Sequence, residues 1–342
     1  MTTPVTTTTS PTTTTSPTTT TSPTTTGTTR MTTGMQHLLS VDDLGGRAGI
    51  ESMLDLTESF LEVTQRDIPK VPALRGKTVV SLFYEDSTRT RMSFETASRR
   101  LSADTMNFSV STSSVKKGES LLDTVQTIDA MGVDAIIVRH AAAGAPHRVA
   151  SWSDAHVINA GDGCHEHPTQ ALLDAFTLRR HRGPSLDGCR IAIVGDIRHS
   201  RVARSDVTAF HALGCELTLV GPPTLMPERL DGWPVRVTSD LDDVLSDVDV
   251  MYLLRIQRER IGQALFPTLR EYSARWGLSV ERAARCKPDT LVMHPGPMNR
   301  GIEIAGEVAD SARSLVTEQV ANGVAVRMAV LWSLLGSGGS IV

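Results

Sequence analysis

Hydrophobic positions along the chain follow two alternating periods. Short continuous apolar runs at 78–84, 105–110, 135–138, 156–159, 190–196, 216–220, near 235–237, 248–254 and 290–293 read as strands. Most are bounded by polar turns. Apolar residues spaced three and four apart read as helices, the first covering Val41 to Leu44 and Ile50 to Val63, with Met53, Leu54, Leu56, Phe60 and Leu61 turned inward. Further helices are predicted after Ser87, over 119–131, near 146–152 and from Pro168 through Leu178, with a final one over about 308–335. Strands that are apolar on both faces and alternate with helices belong in parallel sheets covered on both sides. The expected fold class is therefore α/β, with two doubly wound domains, each a parallel sheet covered by helices, and a C-terminal helix returning to the first domain. The expected divisions are a Thr-rich tail over 1–34, a first domain over 35–180, a second over 181–320, and a C-terminal helix and tail over 321–342. The tail, built from repeated Thr-Thr-Ser-Pro, has almost nothing apolar to bury and is expected to be disordered.

Composition narrows the function class. The 342 residues carry a formal net charge of −4, without the basic excess of a general nucleic-acid binder, so no nucleic-acid partner is expected. No apolar run is long enough to span a membrane, and no charged n-region followed by an apolar segment opens the chain. Cys164, Cys189, Cys215 and Cys286 form no C-x-x-C pair and no zinc spacing, which fits reduced thiols in a cytoplasmic protein.

The chemistry gathers at strand ends, where open α/β sheets bind ligands. Ser87-Thr88-Arg89-Thr90-Arg91 lies between a strand and a helix, so hydroxyls and guanidinium groups meet the positive end of a helix. This is a candidate phosphate site; a capped helix with exposed arginines is the plainer reading of the same residues. Ser113, Lys117, Arg139, His167 and Gln170 follow at later strand ends, and Arg201, Arg255 and Gln257 come from the second half. The set is cationic, with hydroxyls and amides but no nucleophilic elbow, and suits positioning of anionic substrates and support of a developing oxyanion. Gly195 opens a strand end that resembles a dinucleotide-binding turn, but Asp196 to Arg201 lack the remaining glycines, so NAD is not expected. Cys164-His165-Glu166-His167 is too tightly spaced for a metal cage, and no metal is expected.

Ser87 to Arg91, His167-Pro168-Thr169-Gln170 and His294-Pro295-x-Pro297 together resemble the aspartate/ornithine carbamoyltransferases, over roughly 36–336. Lys116-Lys117-Gly118-Glu119-Ser120 and Arg255-Ile256-Gln257-Arg258-Glu259-Arg260 look like the aspartate branch, and His294-Pro295-Gly296-Pro297 differs from the His-Cys-Leu-Pro of ornithine enzymes. The resemblance implies that Ser87, Thr88, Arg89 and Thr90 hold the phosphate of carbamoyl phosphate with Arg139. It implies that Thr90, Arg139 and His167 polarise its carbonyl and that Gln170 takes its amino group. Arg201, Arg255 and Gln257 would hold the carboxylates of L-aspartate, with Gly296 and Pro297 completing the substrate contacts. Ser113 and Lys117 would reach a neighbouring subunit's site in a homotrimer. No cofactor is implied. Met298 to Ile304 resembles forms that assemble with dihydroorotase or its inactive homologue, and a regulatory chain is a further candidate partner. The alternatives are a carbamoyltransferase acting on ornithine or another amine, and a non-catalytic scaffold homologue.

Overall fold

Two stacks of apolar strands, each too hydrophobic to face water on either side, set the architecture. The computed structural model describes residues 1–4, 34–109, 118–256 and 268–336, and Thr32–Val342 form one compact unit. Helix α1 (Arg47–Thr64) precedes strand β1 (Thr78–Phe83), and α2 (Thr88–Arg100) leads to β2 (Asp104–Ser109). Then come α3 (Leu121–Asp129), β3 (Ala135–His140), α4 (Ala145–Ala150), β4 (His156–Asp162) and α5 (Pro168–Arg182). The first sheet is parallel, in the order β2-β1-β3-β4. The second half runs through β5 (Arg190–Val194), α6 (Arg201–Ala212), β6 (Glu216–Val220), β7 (Val235–Thr238), β8 (Val250–Leu253), α7 (Leu269–Trp276), α8 (Val280–Arg285), β9 (Leu291–Met293), α9 (Gly306–Ala309) and α10 (Val316–Leu335). Its sheet is also parallel, in the order β7-β6-β5-β8-β9.

Each order reverses direction once, between β1 and β3 in the first sheet and between β5 and β8 in the second. Connections leaving such a pair on opposite faces open a crevice at the carboxyl ends of the strands. The loops after β1, β3, β5 and β8 are those that carry Ser87 to Thr90, Arg139, Arg201 and Arg255. α5 joins the two halves. Pro168 through Leu178 are all buried, because α5 packs on α1, α6, α10 and β4 at once. α10 returns to the first half against α1, α2 and α5, where Asn322 Nδ2 donates to Thr177 Oγ1 at 2.9 Å.

Two boundaries differ from the periodicity. The first helix does not run on from Val41: Asp42–Leu44 make a separate 3-10 turn, and Gly45 and Gly46, both at positive φ, break it from α1. The helix expected over 308–335 is in fact α9 and α10, separated by a segment that pairs with the edge of the second sheet. There Val292 N donates to Arg313 O and Leu315 N donates to Val292 O. The expected mixed faces of the final helix are also absent from its central part, since Ala325 to Leu331 are all buried.

Phe176, wholly buried on the joining helix, should make the fold sensitive to truncation. Phe176→Ala is expected to cost about 3–5 kcal/mol of stability, read as a lowered urea midpoint; an unchanged midpoint would mean that α5 is not the joint between the halves.

Candidate active site

The loop after β1 turns straight into α2. Ser87 is extended, at φ −158° and ψ 92°, and begins the helix without capping it through its side chain. Its hydroxyl donates instead to Thr90 Oγ1 at 3.0 Å. The first helical N–H groups have no upstream acceptor within the helix, and the positive end of its dipole adds to them. No acidic residue lies in that first turn to compete for the end. Arg89 lies over Gly296, where an added Cβ would stand 2.8 Å from Arg89 Nη1. Gly296 also has φ +61°. Both features favour glycine where the backbone passes the guanidinium group.

Glu85, just ahead of this turn, was not among the expected site residues. Arg201 Nη2, at the start of α6, donates to Glu85 Oε2 at 2.5 Å, and Arg139 Nε lies 3.8 Å from the same oxygen. Arg139 Nη1 also donates to Ala160 O at 2.9 Å. A Cβ on Gly161, φ +113°, would stand 2.8 Å from Arg139 Nη1 and 3.0 Å from Arg201 Nη1. Glycine thus admits two guanidinium groups from different halves of the chain to one place.

The turn from β4 into α5 is built on buried polar groups. Asn159 Nδ2 donates to Leu39 O and Asp162 Oδ1, both at 2.8 Å, and Gly161 N donates to Asn159 Oδ1. Asp162 in turn receives Gly144 N and Glu166 N. His167 follows, 4% exposed, its backbone N donating to Ser205 Oγ at 2.8 Å. The Ser205 hydroxyl donates to Glu166. Burial, and then Arg139, Arg327 and Arg201, push the His167 imidazole well below its ordinary pKa, so the ring is neutral. Its Nδ1 is buried without a hydrogen-bond partner among the described residues. One turn on, Gln170 Nε2 donates to the Asp174 carboxylate at 3.1 and 3.2 Å, which leaves the amide oxygen as the outward acceptor.

Opposite stands the turn after β9. His294 Nδ1 accepts Gly296 N at 2.7 Å, so in the neutral ring the proton is on Nε2. Burial, and then Arg89 and Arg255, bring His294 down to a pKa of about 3. His294 Nε2 is buried with no partner among the described residues.

These elements enclose a cleft of about 650 Å³. Of the expected residues, Ser87, Thr88, Arg89, Thr90, Arg139, His167, Gln170, Arg201, Arg255, Gly296 and Pro297 line it together. Ser113, Lys117 and Gln257 lie outside the described residues. Glu85, His294, Gln319 and Arg327 also line the cleft and were missed. The available signal for Arg327 was a lone cation inside an apolar helical run. That side chain is buried across the face of Phe94, 4.9 Å from the ring centroid, and donates to Ser93 Oγ at 3.0 Å. Five arginines against Glu85 and Asp86 make the lining strongly cationic. Among the described residues no three His, Cys, Asp or Glu side chains cluster as a metal would require, and no helix is long and apolar enough to cross a membrane.

The two buried imidazoles provide a check on this electrostatic picture. His167 and His294 should stay neutral from pH 8 down to pH 5, while an exposed histidine such as His211 should titrate near its ordinary value of about 6.5. Side-chain NMR titration reads both; protonation of either ring near pH 6 would contradict the desolvation described here.

Comparison with known proteins agrees with this geometry. Residues 36–180 match the family model "Aspartate/ornithine carbamoyltransferase, carbamoyl-P binding domain", and 187–334 match the "Asp/Orn binding domain" of the same family. The chain is 61% identical over 304 residues to an aspartate carbamoyltransferase catalytic subunit from Acidothermus cellulolyticus, covering 89% of this chain and 94% of the relative. It is 59% identical over 302 residues to the one from Thermobifida fusca, covering 88% and 96%. Among solved structures, it is similar to aspartate transcarbamoylase from Trypanosoma cruzi in complex with N-(phosphonacetyl)-L-aspartic acid, at 32% identity and a TM-score of 0.80 over 88% of this chain and 96% of that one. The same enzyme in complex with carbamoyl phosphate aligns with a TM-score of 0.81 and 31% identity over 88% and 97%. With both of its halves matched in order and most of its length shared with such relatives, the chain belongs to the aspartate/ornithine carbamoyltransferase family.

Proposed function

We propose that the chain is an aspartate carbamoyltransferase catalytic subunit, transferring the carbamoyl group of carbamoyl phosphate to the α-amine of L-aspartate, a step of pyrimidine synthesis. The observation that carries this reading is the single cleft in which a phosphate-type helix end from the first half faces Arg201 and Arg255 from the second. The names of the curated relatives and the ligands of the Trypanosoma cruzi complexes support it.

The chemistry follows from the side chains. The phosphoryl oxygens meet the first turn of α2, with Ser87, Thr88, Arg89 and Thr90, and Arg139 beside them. The carbamoyl carbonyl faces Thr90, Arg139 and the neutral His167, and its amino group meets the Gln170 amide oxygen. Arg201 and Arg255 take the carboxylates of aspartate, joined by Gln257. The α-amine then attacks the carbamoyl carbon. Donors already in place support the oxygen as it gains charge, and they need no reorganisation at that moment. The carbon–oxygen bond to phosphate breaks, and the departing phosphate accepts the amine proton. A guanidinium-lined acceptor site repels the ammonium side chain of ornithine, which favours aspartate over the ornithine reading.

Several finer features belong to the same reading. The catalytic unit is a homotrimer, in which Ser113 and Lys117 complete a neighbour's site. The protein is cytoplasmic, with the substrate-binding domains at 35–180 and 181–320, the segment 321–342 closing on the first, and the tail at 1–34 outside the catalytic unit. Dihydroorotase, its inactive homologue or a regulatory chain is the candidate assembly partner.

Purified protein offered carbamoyl phosphate with aspartate or ornithine should form carbamoyl aspartate alone; product only from ornithine, or none from either, would overturn the assignment. Arg89→Ala should cost about 3 kcal/mol or more of transition-state stabilisation, on the order of a 100-fold loss in kcat; near-normal turnover would remove Arg89 from the mechanism. Deleting residues 1–34 should leave kcat and both KM values within about twofold of the full chain, measured by the same assay; a large loss would give the tail a catalytic part.

A further inference from the structure

Behind the cleft, one carboxylate with no exposed surface collects three donors from three elements. Asp174 on α5 accepts Gln170 Nε2 at both oxygens, Tyr252 Oη of β8 at 2.7 Å and Gln319 Nε2 of α10 at 2.6 Å. The two glutamines each carry the contact onward to the cleft. Gln170, its NH2 occupied, presents its amide oxygen to the cleft. Gln319 Oε1 accepts His294 N at 3.0 Å, which fixes the start of the His294–Pro297 turn on the far wall. A carboxylate can only accept hydrogen bonds, so it sets both amides the same way round; a protonated or amidated group there would not.

Asp206 on α6 lies beside Asp174, fully buried, and no donor reaches either of its oxygens among the described residues. Burial and then the neighbouring Asp174 charge raise Asp206 well above the carboxylate range, so it keeps its proton. As a neutral acid facing Asp174 and Tyr252, it can donate where an ionised one would repel. Burial raises Asp174 only to a pKa of about 6, the donors from Tyr252, Gln319, Gln170 and Asp206 offsetting it in part. The other titratable groups facing the pair are Arg327 on α10 and Glu166 in the loop ahead of α5. α1, which also packs on α5, turns Asp55 to Arg179 at the surface instead.

We infer that Asp174 is a positioning residue that aims both walls of the carbamoyl-amide pocket, the Gln170 amide oxygen on one side and the His294–Pro297 turn on the other, with Asp206 as the neutral acid that supports it. Asp174 touches no substrate and acts through the two glutamines. The inference rests on the carbamoyl-transfer reading, because it is the carbamoyl amino group that the Gln170 oxygen meets. Phosphate, by contrast, is held by the α2 end and does not depend on either amide.

Two measurements test it. In Asp174→Asn the side chain gains an NH2 and loses an acceptor, so both glutamines lose their fixed orientation. kcat/KM for carbamoyl phosphate at pH 8 should fall about 100-fold or more, while inhibition by inorganic phosphate stays within about threefold. Parallel loss of phosphate binding would mean general collapse and overturn the positioning role, as would near-normal kcat/KM. The second measurement needs only the Asp206 variants. In the wild type the acid limb of kcat/KM should fall near pH 6, as Asp174 takes up a proton. Asp206→Leu removes a donor and should move that limb up by about one unit, whereas Asp206→Asn, which can still donate, should leave it within a few tenths. A limb that stays put in Asp206→Leu, or moves equally in both variants, would overturn the pairing. A wild-type protein that forms no carbamoyl product would instead indict the proposed function, separately from either result.

Discussion

Five guanidinium groups from both halves of the chain converge on one cleft, and like charges do not gather in a partly buried space without compensation. The carboxylate of Glu85 supplies part of it, taking Arg201 directly and lying near Arg139. Gly161 supplies the space, since any side chain there would displace both arginines. The remaining positive charge is left for ligand. An anion entering this cleft exchanges its hydration for donors already in place, and a second anion meets a second group of arginines. The cleft is therefore built for two anionic molecules brought side by side.

The same crowd of charge dictates the state of every neutral group nearby. His167 and His294 cannot ionise beside arginines that are already there, so each remains a neutral ring available for hydrogen bonding. Arg327, although buried and lowered to a pKa of about 10, keeps its charge at neutral pH, with the ring of Phe94 beneath it and Ser93 Oγ as acceptor. Behind this layer the sign reverses. Asp174 sits where its charge balances the arginines in front and orders the amides between, and Asp206 stays neutral because no further negative charge can be supported there.

Much of the fold was legible because buried parallel strands write continuous apolar runs, and each run ended at the residues that line the cleft. Ser87 to Thr90, Arg139, His167, Arg201 and Arg255 are all polar residues at such ends, so their convergence followed from topology. Glu85 was not legible, since an acidic residue next to Asp86 in a loop reads as a solvated charge. Asp174 and Gln319 sit inside helices buried on nearly every side, where periodicity assigns polar residues to a water-facing stripe that does not exist. The break between α9 and α10 was hidden for another reason. Arg313 to Leu315 leave the helix to pair with Val292, a contact with a residue more than twenty positions away that no local pattern records.

The most direct measurement is a crystal structure of the protein with N-(phosphonacetyl)-L-aspartate bound. The phosphonate should lie against the first turn of α2 with Arg89 and Arg139, the amide carbonyl should face Thr90 and His167, and both carboxylates should lie on Arg201 and Arg255. Binding elsewhere, or a phosphonate and carboxylates held in separate cavities, would contradict a single cleft serving both substrates.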